Sequence, residues 1–586
     1  MYHSRGAARS AGRGGRDEAG ATRWAAAPGS GQRSPPGPAP QNPSRWAVGG
    51  ADPDRLVIHD RVPPTEPLPA TRARRLGAWL ARHRWWLGLA LAFLYVFPYF
   101  PAIQSANELP RIYLTQAMVD HGTFAIDHGV KQWGATADVS PHAGHQYSNK
   151  APGSSMLAIP AYLLLERTTQ LVAGRPPTLG ETFWTFRVWT GAIPTLLFLL
   201  LLARFLRRFS ERDAARRLTL VGYGLGSMAL VYSVLFIAHQ LSAACVGTAW
   251  ILAVEVVDDR RRDRWMLAAG LAAGAAPLVD YQALFAVVPI AIWVAARFVH
   301  ERRGGRAVLW ATVGAALPIV VMLAYHHACF GSPWKTGYDA SETFAFHHQH
   351  GFLGLDKLRW VAFTGSTIAP DNGLVLFCPM LLLALPGWWL MVRRGQLGHA
   401  LVSLSIALIY LLFISGLNFW RGGWQFGPRY ITVMLPFLLP PIVTVLDAVD
   451  GRRGWRALPW AMIAVGLAIY GLGVATFPHF PEKFHNPLYE VVFRLLGDGL
   501  VAPNLGGALG LPRVWSIVPW LGLLAGLWVA AAAPRHDRAR WIDVGLAVVI
   551  AGAVIIGYRG FHHGGPVAED AYVHFVRPTV AAQAPR

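Results

Sequence analysis

Charged residues are scarce in this chain: 15% of its 586 residues, where a soluble domain carries about 25%. That deficit, beside 53% hydrophobic residues, excludes an ordinary water-soluble enzyme. Lysine is rarer still. Lys131, Lys150, Lys335, Lys357 and Lys483 are the whole complement, five out of 53 basic residues. Cysteine is nearly absent. Cys245, Cys329 and Cys378 lack metal-ligand spacing, so neither a zinc site nor a disulfide framework is supported. No P-loop is present, which argues against an ATP-driven pump. GYGLG (Gly222 to Gly226) lies inside an apolar run and is not a nucleotide loop. The formal net charge of +20 does not signal nucleic-acid binding, because the arginines cluster in short segments between apolar runs.

What the chain has in abundance is long apolar runs. They fall at roughly 85–103, 183–203, 217–238, 240–257, 265–279, 282–299, 307–326, 374–392, 399–419, 430–448, 456–477, 514–533 and 541–558. Runs of this length cross a bilayer as helices. The expected fold is therefore all-α and polytopic, with about thirteen transmembrane helices. Basic clusters at 72–84, 204–217, 258–264, 300–306, 393–394, 451–456 and 535–540 recur at alternate turns. The positive-inside rule then puts the N-terminus in the cytoplasm. It leaves 104–182, 327–373, 420–429 and 478–512 outside, with all five lysines. Residues 151–170 are apolar but carry Pro152, Pro160, Glu166 and Arg167. Read as a span they would break the charge alternation, so a juxtamembrane helix in the outer interface is expected.

Residues 1–70 are rich in Gly, Ala, Pro, Ser and Arg without apolar period. Such a segment cannot bury a core and is expected to be a disordered basic tail. The membrane domain is expected over 71–560, with a C-terminal tail at 561–586. GLAAG (Gly270 to Gly274) offers small residues for close helix packing.

The outer loops hold the candidate chemistry. Glu108 follows the first span within a few residues. Partial desolvation there is expected to raise its pKa, opposed by Arg111 one turn on, and makes it a candidate general base. Asp138 is the second catalytic candidate, of a type that orients an acceptor or helps bind a divalent cation; the sequence requires no cofactor. Asp120 and Asp127 read as caps and turn formers. Lys150 and Arg429, with Arg111, are candidates to hold a phosphate near the interface. Trp424 and Tyr430 beside Arg429 could line a substrate, against the plainer reading of an aromatic belt. His239 and Asp280 lie near outer ends of spans and are further lining candidates. The histidines of FHHQH (His347, His348, His350) read as solvated loop residues, and no metal site is assigned.

Asn107-Glu108, followed by Arg111, Tyr113 and Ala117, then VDHGTFAID, NKAPG and Pro428-Arg429-Tyr430, resembles the GT-C superfamily of integral membrane glycosyltransferases. That superfamily includes the protein O-mannosyltransferases and the lipid A aminoarabinose transferases. The resemblance covers most of the chain from about residue 85. The acidic motif is Asn-Glu where the superfamily commonly has Asp-Glu, and Lys-Pro-Pro is Lys-Ala-Pro. The resemblance implies inverting transfer of a sugar from a polyprenyl-phosphate donor to a lipid, glycan or protein acceptor. It implies an extracytoplasmic active site in a bacterial inner (plasma) membrane, and no nucleic-acid partner. The competing reading is a transporter or flippase for a lipid-linked saccharide. Such a protein is expected to show inverted repeats and midspan breaks, whereas here the polar residues gather in outer loops.

Overall fold

The computed structural model describes residues 72–96, 107–259, 261–302, 304–343, 345–348, 351, 354–533 and 537–585. The expected tail 1–70, the end of the first expected span and His350 lie outside the described residues. Within Thr71–Arg586 the architecture is helical, with one short hairpin of strands Val139–His142 and His145–Ser148.

Nine helices among the described residues are long and apolar enough to cross a membrane. They match nine of the expected runs closely; Gly305–Phe330, for example, covers the run 307–326. Their surroundings divide them into two kinds. Arg429–Val449 and Ala238–Val257 are enclosed, with 89% and 83% of their apolar windows buried. Gly305–Phe330 has a hydropathy of 2.2, yet only 17% of its window is buried. An apolar helix that faces outward over most of its surface is stable in lipid, not in water.

Two expected spans are interrupted. The run 217–238 becomes Asp213–Gly224 and Met228–Ser233, separated at Leu225-Gly226. The cause is a close backbone contact with another span, made at a glycine, which is a poor helix former. A Cβ on Gly466 would lie 2.4 Å from the Gly226 carbonyl oxygen, so the two backbones touch. Ser227 then restarts the helix, its Oγ accepting from the Ala229 N–H at 3.1 Å. The chain leaves helix again at 234–237. The run 374–392 breaks at Cys378-Pro379, where proline supplies no N–H. Of the remaining two runs, Trp265–Val279 is a shorter apolar helix and Arg72–Tyr95 is helical to the edge of the described residues.

The segment expected as the first outer loop folds, from residue 107 on, into helices and the hairpin. Leu109–Asp120 packs on Gly153–Ala173, the expected juxtamembrane helix. Ser155 Oγ donates to the Arg111 carbonyl at 2.9 Å, and Thr115 Oγ1 to the Ser155 carbonyl at 3.1 Å. Gly153–Ala173 turns Leu164, Leu171 and Val172 outward. The hairpin turns at Ala143-Gly144, both at positive φ (49° and 83°), the conformation that tight two-residue hairpins need. Asp127 braces it, accepting from the Gln146 N–H at 3.2 Å, while Asp120 accepts from the Tyr162 hydroxyl at 2.8 Å. Both acids make structural bonds, but neither is a helix cap: Asp120 ties its own helix to Gly153–Ala173, and Asp127 holds the strand after the turn. The residues expected as a C-terminal tail form short helices that are anchored back: Asp498 accepts from Tyr572 and Arg577, each at 2.8 Å.

Candidate active site

The hairpin brings the first two functional side chains together. Val139 pairs with Ser148, so Asp138 and Asn149-Lys150 emerge side by side from its open end. Lys150 Nζ lies 2.8 Å from Asp138 Oδ2, and Asn149 Nδ2 donates to Oδ1 at 3.0 Å. Both members of the pair are buried. The segment after Gly305–Phe330 closes over them because Gly337 meets Asn149 with no room for a side chain. Tyr338 follows, its ring 5.6 Å from Lys150 Nζ. Burial pushes the Lys150 ammonium down to about 8, against Asp138, with Arg111 and Arg429 adding to the depression.

Glu108 differs from expectation. It is fully buried and is not paired with Arg111. Arg187 donates to it twice, Nε to Oε1 at 2.8 Å and Nη2 to Oε2 at 2.7 Å. The Phe236 N–H, freed by the interruption at 234–237, adds a third bond to Oε1 at 2.7 Å. Burial acts to raise the carboxyl pKa, but Arg187 outweighs it and the net direction is down, not up. His479, buried nearby, is pushed down to about 4 by burial and by Arg187 and Arg429, and so is neutral.

Arg111 is buried one turn into the Leu109–Asp120 helix. Its Nη1 donates to the Asn107 carbonyl and side-chain oxygens, and its Nε has no partner. Burial lowers its pKa, with Asp280, Asp138 and Tyr338 acting the other way. Arg429 is buried too. Its Nη2 donates to the Gly422 carbonyl, its Nε is unpartnered, and its guanidinium lies 5.3 Å from the Tyr430 ring centre. Tyr430 in turn stands 5.8 Å, edge to face, from the His239 ring. His239 Nδ1 and Asp280 Oδ2 are 2.7 Å apart, and Gln282 Nε2 donates to the same oxygen at 2.9 Å.

The structure thus gathers Arg111, Asp138, Lys150, His239, Asp280, Arg429 and Tyr430 from five separate stretches of chain. Trp424 is not among them; its ring packs 4.8 Å from Phe575. Arg187, Tyr338, Gln282 and His479 join the site without having been singled out from the sequence. Arg187 carried a usable signal: it is a lone arginine in the otherwise apolar FRVWTGAIP. No group of three or more His, Cys, Asp and Glu placed to hold a metal ion occurs among the described residues.

No family model matches the chain, and no curated protein matches it. Solved structures with a similar fold include ArnT from Cupriavidus metallidurans, bound to undecaprenyl phosphate, at 16% identity and TM-score 0.43, covering 83% of this chain and 78% of that one. The oligosaccharyltransferase of Archaeoglobus fulgidus in its apo form has 13% identity and TM-score 0.34, covering 80% of this chain and 57% of that one. At these scores and identities neither places a catalytic residue in this chain.

Proposed function

We propose that the chain transfers a sugar from a polyprenyl-phosphate donor to an acceptor at the extracytoplasmic face of a membrane, by inverting displacement. The observation that carries this is the charge of the site. Three buried cations, Arg111, Lys150 and Arg429, meet two carboxylates, Asp138 and Asp280. Asp138 is taken by Lys150 and Asp280 by His239. Arg111 donates to neutral oxygens of Asn107, and Arg429 to the Gly422 carbonyl and the Tyr430 hydroxyl. A buried guanidinium without an anion is costly. A phosphate ester supplies that anion, and guanidinium groups match it with paired hydrogen bonds.

The surroundings suit a lipid carrier. Phe93, Val96, Trp184, Val188 and Ala192 line a largely apolar crevice with Arg187 in its wall. An isoprenoid segment can lie against such an apolar surface. In the displacement, charge builds on the phosphate as its bond to the sugar breaks, and fixed cations stabilise that charge without reorganising. The Glu108–Arg187 pair holds the first outer loop against the interruption at 234–237. The test is release of polyprenyl phosphate from a polyprenyl-phosphate sugar by the purified chain.

A further inference from the structure

Sugar transfer needs a group to take the acceptor's proton, and the carboxylate expected in that role is engaged on both oxygens by a buried arginine. Both Glu108 oxygens face Arg187, and the Phe236 N–H takes a third position. Asp138 is bonded to Lys150 and Asn149. His326 has both ring nitrogens occupied, Nε2 by the Tyr281 hydroxyl at 2.8 Å and Nδ1 by the Pro333 carbonyl at 3.2 Å. His239 is different. Its Nδ1 faces Asp280, while its Nε2 is buried with no hydrogen-bond partner.

We infer that His239, oriented by Asp280, is the general base that activates the acceptor. Asp280 Oδ2, 2.7 Å from Nδ1, favours the tautomer with its proton there and a lone pair on Nε2, and Gln282 Nε2 also lies 3.1 Å from Nδ1. Gln282 holds that carboxylate from the side, and the Tyr410 hydroxyl holds the Gln282 carbonyl at 2.9 Å. The ring is clamped edge to face between Tyr232, at 5.5 Å, and Tyr430, at 5.8 Å. Tyr430 also packs on the Arg429 guanidinium. The open nitrogen therefore belongs to the same cluster as the cations proposed to hold phosphate. A base beside an orienting acid and next to an anion site is the arrangement that nucleophile activation requires.

The step balances as follows. His239 Nε2 takes the proton of the acceptor hydroxyl or amine as that atom's electron pair attacks the anomeric carbon. The bond from that carbon to the phosphate oxygen breaks, and its electron pair leaves with polyprenyl phosphate. Asp280 stabilises the imidazolium, which returns the proton to water. Asp280 is a positioning residue here; it does not touch the reacting atoms.

This inference rests on the proposed sugar transfer. The experiment uses the full chain in lipid nanodiscs, with undecaprenyl-phosphate monosaccharides as donors and undecaprenyl phosphate release as the readout. His239→Asn keeps a polar side chain of similar reach to Nδ1. It should bind undecaprenyl phosphate within threefold of wild type while turnover falls about 10²- to 10⁴-fold. In His239→Ala, added imidazole should restore part of the turnover, and Asp280→Asn should lower kcat with little change in KM. If His239→Ala does not fold, the His239→Asn result decides. Turnover by His239→Asn within tenfold of an active wild type overturns the base assignment alone. A wild type that releases no undecaprenyl phosphate from any donor overturns the proposed sugar transfer, and this inference with it.

Discussion

Glu108 and Arg187, 79 residues apart in the chain, form a buried two-point ion pair at 2.7 and 2.8 Å. The pair joins the start of the Leu109–Asp120 helix to the Leu179–Arg208 helix, and its third bond reaches the interruption after Met228–Ser233. Breaking one member of a buried pair leaves the other charge uncompensated, at a cost of about 3–5 kcal/mol. Glu108→Gln should therefore lower thermal stability by that order, and Glu108→Gln with Arg187→Met should recover much of the loss. Detergent-solubilised melting curves check this. A Glu108→Gln protein as stable as wild type would show that the pair contributes little.

The second prediction concerns pH. Lys150 sits near 8 in the folded chain, below the ordinary 10.5. Below pH 8 the ammonium is present; above it, the site loses one of three cations. Affinity for undecaprenyl phosphate should thus fall as pH rises through about 8, and Lys150→Met should remove that inflection. Bound phosphate favours the charged form, so the inflection moves upward at saturating ligand. Binding isotherms from pH 6.5 to 9.5 test it, and a flat profile in wild type would count against Lys150 as a phosphate ligand.

Orientation is the third. His145 and Lys483 are exposed on loops assigned outside, and Arg264 and Arg453 are exposed on loops assigned inside. Cysteine at the first two positions should react with an impermeant thiol reagent added to intact cells. Cysteine at the other two should react only after permeabilisation. The reverse pattern would put the site on the cytoplasmic face.

The fourth tests helix packing. A Cβ on Gly270 would lie 2.0 Å from the Ala311 carbonyl oxygen, and one on Gly314 would lie 2.1 Å from that of Leu267. Gly270→Ala should therefore overpack the contact between Trp265–Val279 and Gly305–Phe330, at about 1–3 kcal/mol. Gly545→Ala, with nothing within 4 Å, should be neutral or stabilising. Equal melting temperatures for the two variants would contradict the close approach.

That contact was legible in GLAAG, and most spans were legible in the apolar runs, because hydropathy and small-residue spacing are local signals. The break at Gly226 was not, since the segment stays apolar through it and only contact with Gly466 requires it. Site membership was legible for Arg111, Lys150 and Arg429 from their position in outer loops. Partnership was not. Glu108 seemed matched with Arg111 by helical spacing, yet the arginine that reaches it comes from another helix. His239 and Asp280, 41 residues apart, read as separate lining candidates, and only folding places them 2.7 Å from each other.

The most direct test of the account gives the purified chain, in nanodiscs and in proteoliposomes, a set of undecaprenyl-phosphate monosaccharides with candidate acceptors. The account predicts release of undecaprenyl phosphate coupled to glycosylated acceptor. It predicts at least a tenfold loss in Lys150→Ala and Arg429→Ala, both still folded. Movement of the intact donor across the bilayer without cleavage, or release unaffected by either substitution, would contradict it.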